Sequence, residues 1–220
     1  MSDGVRQFEL SKRVAGMELL YEVGLALSAE RNHDRLIEKI LLEAKQFCQA
    51  DGGTIYLVTD DEQLEFAIMR NDTMGMALGG TTGKPLDEMP RIPLIDPRTG
   101  QENRRNIAAH AANSRQSVNI EDAYEVDTFD FSGTREFDER NGYRSQSFLT
   151  IPLENNAGRV IGVLQLINAQ DPQTGEIVPF DDGVQSIVEA LASQAAVALD
   201  NQQLIAAQRR LLESFIQMIA

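Results

Sequence analysis

A chain of 220 residues with 42% apolar side chains can bury one sizeable core and suits one α/β domain with flanking helices. The formal net charge of -14 argues against a nucleic-acid partner, because binding along a phosphate backbone needs a clustered Lys/Arg surface. No apolar run approaches the roughly 18–20 residues of a membrane span, the start MSDGVRQFEL lacks a signal-peptide pattern, and the single Cys48 excludes an internal disulfide and a Cys-rich zinc site, so a soluble cytoplasmic segment with no membrane partner and no metal is expected.

In chain order, Leu10, Met17, Leu20, Gly24 and Leu27 recur at helical spacing, which predicts a helix over about 8–30 whose apolar stripe needs a partner. Asn32 is placed to cap a second amphipathic helix bearing Leu36, Ile37, Ile40, Leu41, Ala44, Phe47 and Cys48, with Asp51-Gly52-Gly53 as its stop. Cys48 lies on the apolar face and reads as a small buried hydrophobe, not a nucleophile. Thr54–Val58 and Leu64–Met69 read as strands around the turn Asp60-Asp61-Glu62, a hairpin near the start of a mostly antiparallel sheet. The Gly- and Pro-rich stretch 70–104 reads as a long loop able to serve as a lid, interrupted at most by one extended segment near Arg91–Ile95.

Ile107–Asn113 reads as a short helix and Val118–Ile120 as a short strand, after which the acidic, aromatic segment 121–136 should cover the sheet as loop and short helix. Phe148–Leu153 and Val160–Asn168 are strands joined by the turn Asn155-Asn156-Ala157-Gly158, and the second is so continuously apolar that it should be central. A pocket between loop and sheet follows from this order.

From about Phe180 the chain reads as one helix of some forty residues, roughly 55–60 Å long, more than a globular core needs. Ile187, Leu191, Gln194, Ala198, Gln202, Ile205, Arg209, Leu212, Ile216 and Ile219 follow a mostly four-three spacing, the seam of a coiled coil or bundle diluted by polar residues. A parallel homodimer through the N- and C-terminal helices is expected; the alternative is a helix packed only on its own domain. The expected organisation is an N-terminal helical extension over 1–19, one domain over 20–200, and a signalling-helix linker over 201–220 leading to an output domain beyond this segment.

Two stretches, NIAAHAANSRQSVNIEDAY at 106–124 and FDERNGYRSQSFLTIPLENNAGRVIGVLQLINA at 137–169, together resemble the ligand-binding half of a GAF domain. The resemblance implies an α/β (α+β) fold, a GAF/PAS-like central antiparallel sheet flanked by N-terminal and long C-terminal helices, acting as a sensory module and not a catalyst. In cyclic-nucleotide-binding members a G-I-A-G-type segment supplies backbone contacts from the start of a short helix, and Asn106, Ile107, Ala108 and Ala109 are the similar residues here. Helix-start N–H groups can hold a phosphate without a basic side chain. The run Phe137-Asp138-Glu139-Arg140-Asn141-Gly142-Tyr143-Arg144-Ser145 looks like the family's F-D-x-x-T-G-F-x-T loop, which makes Asp138, Asn141 and Ser145 side-chain candidates for ligand contact. The alternative is that Asp138 caps the short helix and Asn141-Gly142 forms its turn. Gln165 occupies the family position where Glu or Gln faces the ligand, with Thr54 and Met69 on the strands beneath. Its amide, inside an apolar strand, needs a partner, either a bound base or a neighbouring backbone.

One departure bears on the ligand. Cyclic-nucleotide GAF domains often carry N-K followed by F-x-x-x-D-E; Asn168 and Phe180 stand in place, but Ala169 replaces the Lys and Val184-Gln185 replace Asp-Glu, so the family's Lys–Asp bridge cannot form. Bilin attachment and methionine sulfoxide reduction need placed cysteines, and of His33 and His110 only the latter sits beside the expected site. No nucleophile–base pair is evident, so no catalytic residue is assigned. The end QLIAAQRRLLESFIQMIA resembles the linker through which bacterial GAF domains enter an HD-type metal-dependent phosphodiesterase domain. The resulting expectation is a receptor for cAMP or cGMP that controls such an output through a dimeric helix; the competing expectation is a ligand-free dimerisation and coupling module.

Overall fold

The computed structural model describes residues 20–86 and 89–219, so Leu10 and Met17 of the predicted first helix lie outside the described residues. Helix α1 covers 20–29, and α2 runs His33–Cys48 with the Asn32 side chain accepting from Arg35 N. Strands β1 (Ala50–Val58) and β2 (Gln63–Asn71) are followed by β3 (Met76–Gly79), a 3₁₀ turn at Gly80–Thr82, and β4 (Ile92–Pro93). Helix α3 (Ile107–Ser114), β5 (Val118–Ile120) and α4 (Ser132–Asn141) precede β6 (Phe148–Glu154), β7 (Val160–Gln170) and β8 (Ile177–Val178). A continuous α5 spans Asp182–Ile219.

All pairings are antiparallel, in the order β3-β2-β1-β7-β6-β5, with β4 added to β2 and β8 to β7. β7 lies between β1 and β6, as its unbroken apolar run requires. One register row crosses four strands as Met69, Thr54, Gln165 and Thr150. Because strand side chains alternate, that row faces one side while its neighbours Ile55, Leu164, Leu166 and Leu149 face the other. The second set packs with Val23 and Leu27 of α1, Leu36, Ile40 and Leu41 of α2, and Leu191, Ala195 and Leu199 of α5 into the main core.

Several boundaries differ from the sequence reading for identifiable reasons. Asp51-Gly52-Gly53 does not stop α2; it begins β1, and the helix ends at Gln49 in the left-handed region (φ 51). The glycines serve close packing, since a Cβ on Gly53 would lie 2.7 Å from Leu41 Cδ1. The stretch 70–104 is less irregular than expected: β2 continues to Asn71, and Gly75 (φ 59) turns the chain back into β3. β4 corresponds to the extended segment predicted near Arg91–Ile95, and β8 was not foreseen because two residues carry no periodicity. α4 extends past the expected 136 to Asn141, where Gly142 (φ 62) caps it and Tyr143 N donates to Asp138 O.

The long helix splits the predicted seam. Leu191 and Ala198 are buried against their own domain, whereas Ile205, Leu212 and Ile216 are 51%, 62% and 67% exposed. At 38 residues and about 1.5 Å per residue it is roughly 57 Å long. No helix among the described residues is long and apolar enough to cross a membrane.

Candidate functional site

The sheet face away from the main core is not packed solid. Apolar clusters occupy its two ends: Tyr56, Leu64, Val163, Ala108 and Ala112 at one, Phe148, Phe131, Phe129 and Ile107 at the other. Between them lies a cavity of about 730 Å³. Its floor is the row of Met69, Thr54 and Gln165 with Tyr56 and Ile167; its walls are the start of α3 and one side of α4 from Ser132 to Arg140; residues from 89–98 of the long connection form its cover. That cover is tied down: Leu94 N donates to Glu62 O, Asn103 Nδ2 to Pro93 O and Asn113 Nδ2 to Leu94 O. Earlier in the same connection, Glu38 accepts from Arg70 and from Thr81, which fastens the 3₁₀ turn at Gly80–Thr82 to α2.

Gln165 is only 5% exposed, and its amide has partners within the chain. Tyr56 Oη donates to Oε1 at 3.2 Å, and Nε2 donates to Thr150 Oγ1 at 3.1 Å. Burial pushes the Tyr56 phenol well above its ordinary pKa, so it stays a neutral donor. The partner sought for this amide is thus a pair of side chains on the flanking strands. One Nε2 hydrogen and one Oε1 lone pair are still available toward the cavity.

Among the residues singled out from the sequence, Thr54, Met69, Asn106, Ile107, Ala108, Ser145 and Gln165 border the cavity together. Asp138 and Asn141 do not. Asp138 is 1% exposed and its carboxylate is fully engaged: it accepts from Ser145 N at 2.7 Å, Ser145 Oγ at 2.8 Å and Tyr124 Oη at 2.8 Å. It reaches the cavity only through Ser145, as a positioning residue. Asn141 is exposed and turns back on α4, with Nδ2 donating to Phe137 O. The α3 start also differs from the expected open anion site, because Asn106 Oδ1 accepts from both Ala108 N and Ala109 N at 3.0 Å.

Asn168 organises the edge of the site. It sits in the left-handed region (φ 57) at 1% exposure; its Oδ1 accepts from Gln146 N and Ser147 N, and its Nδ2 donates to Arg144 O and Tyr143 Oη. Tyr143, a cavity wall, donates in turn to Asp51 Oδ2 at 2.6 Å, and burial together with the Asp51 carboxylate holds its phenol far above the usual range. The bracing that a Lys–Asp bridge gives in the family pattern is here a network of neutral amides and hydroxyls around one aspartate. Where that pattern has Asp-Glu, Gln185 Oε1 accepts from Asn119 Nδ2 at 3.0 Å, and the same Nδ2 donates to Phe180 O at 2.9 Å.

Tyr56, Tyr143 and the arginines of the rim were not identified from the sequence. The two-residue alternation of β1, which puts Tyr56 on the same face as Thr54, was a usable signal for Tyr56; nothing local marks Arg98, Arg105 or Arg140 as wall residues. His110 packs edge-on to Phe129, with centroids 5.2 Å apart, and is not a cavity wall. The described residues contain no group of three His, Cys, Asp or Glu able to hold a metal ion. Burial pushes the Cys48 thiol up to about 12, so it carries no thiolate at neutral pH.

The sheet thus carries the main core and its helices on one face and a cavity on the other. The GAF domain family model matches residues 32–199, and the chain belongs to that family. It is 28% identical over 197 residues to the dual 3',5'-cyclic-AMP and -GMP phosphodiesterase 11 of Drosophila melanogaster, covering 88% of this chain and 12% of that protein. It is 26% identical over 189 residues to the cGMP-specific 3',5'-cyclic phosphodiesterase of Drosophila sechellia, covering 85% of this chain and 14% of that one. The chain therefore spans only 12–14% of the length of these relatives. Among solved structures, the GAF domain of a phosphoenolpyruvate-protein phosphotransferase from Coxiella burnetii shares the fold with a TM-score of 0.62 at 14% identity, covering 87% of this chain and 96% of that one. Free methionine-R-sulfoxide reductase from Neisseria meningitidis does so with a TM-score of 0.57 at 16% identity, covering 86% and 91%.

Proposed function

We propose that this GAF domain is a receptor for a cyclic nucleotide, cAMP or cGMP, and that ligand binding regulates an attached output domain through α5. The observation that carries the reading is the covered cavity of about 730 Å³, whose floor offers the Gln165 amide as both donor and acceptor while aromatic and methionine side chains supply apolar walls. A purine edge presents a complementary donor and acceptor, and its faces suit apolar walls. The relatives named for hydrolysis of cyclic nucleotides support the same choice. The exposed stripe Ile205, Leu212 and Ile216, continued on α1 by Tyr21 and Leu25, supports a homodimer through the helices. An HD-type metal-dependent phosphodiesterase is the output favoured by the C-terminal sequence. For regulation, the ligand must bind one arrangement of cover and helices more tightly than another.

Isothermal titration of the 1–220 chain with cAMP and cGMP tests this reading. Saturable binding of at least one, lost in Gln165→Leu, is expected; no binding of either by protein free of co-purified ligand contradicts it. The internal partners of Gln165 and the engagement of Asp138 with Ser145 favour a second reading, a coupling module whose site has closed on its own side chains. That module dimerises through α5 and shows no nucleotide response.

A further inference from the structure

Four arginines border the cavity, and three of them are committed elsewhere. Arg70 donates to Glu38 and to the carbonyls of Met69, Leu78 and Gly79. Arg98 pairs with Asp96 at 3.5 Å, and Arg140 pairs with Glu136 at 3.9 Å while donating to Glu136 O. Arg105 differs: among the described residues its guanidinium makes no hydrogen bond or salt bridge, and its one electrostatic neighbour is Asp130. Its backbone is nevertheless fixed, since Arg105 O accepts from Asp130 N at 2.8 Å and the next residue caps α3. The nearest acidic wall residue, Asp130, is engaged by Ser132, which with its backbone N–H holds that carboxyl below the ordinary range, while Arg105 contributes only a lesser coulombic effect.

These placements change which group can meet an anion. The backbone donors of Ala108 and Ala109, the natural phosphate site at the start of α3, are occupied by Asn106 Oδ1. Apart from Arg70, the acidic and basic wall residues balance as Asp96, Asp130 and Glu136 against Arg98, Arg105 and Arg140, in a chain whose net charge is -14. An anion entering the cavity meets overall repulsion unless a cation is available at the wall itself. Arg105 supplies that cation, with five donors in a fork that fits two phosphate oxygens at once.

We infer that Arg105 is the anion-recognition residue of the cavity, binding the phosphodiester of the ligand from the α3 side while Gln165 meets the base on the floor; this rests on the cyclic-nucleotide reading above. The site is thereby selective for nucleotide over nucleoside. The test is isothermal titration of the 1–220 chain and its Arg105→Gln and Arg105→Lys variants with cAMP, cGMP, adenosine and guanosine, with Arg104→Gln and Arg159→Gln, which do not border the cavity, as controls. Arg105→Gln should bind the preferred nucleotide about tenfold to a hundredfold more weakly, leave the nucleoside affinity unchanged, and remove most of the salt dependence. Arg105→Lys should recover part of the loss, and the two controls away from the cavity should stay within about threefold of the unaltered chain. Nucleotide binding undiminished in Arg105→Gln overturns this inference alone. Failure of the unaltered chain to bind either nucleotide overturns the cyclic-nucleotide reading and this inference with it. Because Arg105 is exposed, its variants are expected to fold, which circular dichroism checks.

Discussion

On the side of the sheet facing α1, α2 and α5, Leu41, Ile55, Leu164 and Leu166 meet with no exposed surface, whereas the alternate residues of the same strands, Thr54, Gln165 and Ile167, border a cavity of about 730 Å³. One strand therefore serves two purposes in alternate positions. The filled side holds the fold by apolar burial, and the hollow side keeps its shape with hydrogen bonds: Asp138 to Ser145 and Tyr124, Asn168 to the 143–147 backbone, and Tyr143 to Asp51. A covered space persists because the groups around it are fixed to one another and not to its contents.

The sharpest way to break this comparison is to truncate adjacent residues of β7 that face opposite sides. Leu166→Ala should cost about 2–5 kcal/mol in denaturant unfolding, because it empties a packed position, while Ile167→Ala should cost less than half as much, because it only enlarges an existing space. Equal losses would mean that the cavity side is packed as tightly as the core. Next in size, Asp138→Ala leaves the Ser145 N–H and two hydroxyl donors without their acceptor and should cost about 1–3 kcal/mol. It should also weaken ligand binding indirectly through Ser145; a variant of unchanged stability would show that the network does not hold the wall.

A smaller effect concerns the anchor of the 3₁₀ turn at Gly80–Thr82. Burial alone would raise the Glu38 carboxyl, but the bonds from Thr81 and Arg70 outweigh it and hold the group below its ordinary range. A carboxyl depressed in the folded state contributes fully above its unfolded pKa, near 4.5, and the contribution fades as pH falls through the lower folded value. Glu38→Gln should cost about 1–2 kcal/mol at neutral pH and flatten the acid limb of the stability profile; an unaltered limb would contradict the assignment. Smallest in stability is Leu212→Glu on the free stretch of α5, which should leave unfolding within about 0.5 kcal/mol for the monomeric domain. In sedimentation it should shift a dimer to monomer, and an unchanged dimer would remove the distal stripe from the interface.

The sequence was most legible where periodicity is long and one-sided. The stripe of α2 and the apolar run of β7 each predicted their element and its burial, and the 106–124 and 137–169 stretches identified the family. It was misleading at Gly52-Gly53, where residues that usually end helices instead let β1 pass close beneath Leu41, a distance set by tertiary packing. In the site, Gln165 stood out as a polar residue in an apolar strand and at a family position, Thr54 was placed on the strand beside it, and Asn106 came from the resemblance to the family's helix-start segment. What an individual polar group bonds to was not readable: Asp138 satisfies Ser145 from seven residues away, and Asn106 consumes the amides it was expected to leave open. Arg105 carries no local signal at all, since its distinction from Arg98 and Arg140 lies in which acids fold next to them.

The most direct test of the receptor reading is thermal unfolding of the purified 1–220 chain, alone and with each cyclic nucleotide, alongside Gln165→Leu. Ligand at about 100 times its Kd adds roughly 2.7 kcal/mol to stability, a shift of several degrees for a domain of this size. A rise in Tm with cAMP or cGMP that is absent in Gln165→Leu, each protein being compared with its own ligand-free curve because the substitution also removes the bonds to Tyr56 and Thr150, is the predicted result. Superimposable curves with and without both nucleotides, in protein shown to be free of bound ligand, would contradict it.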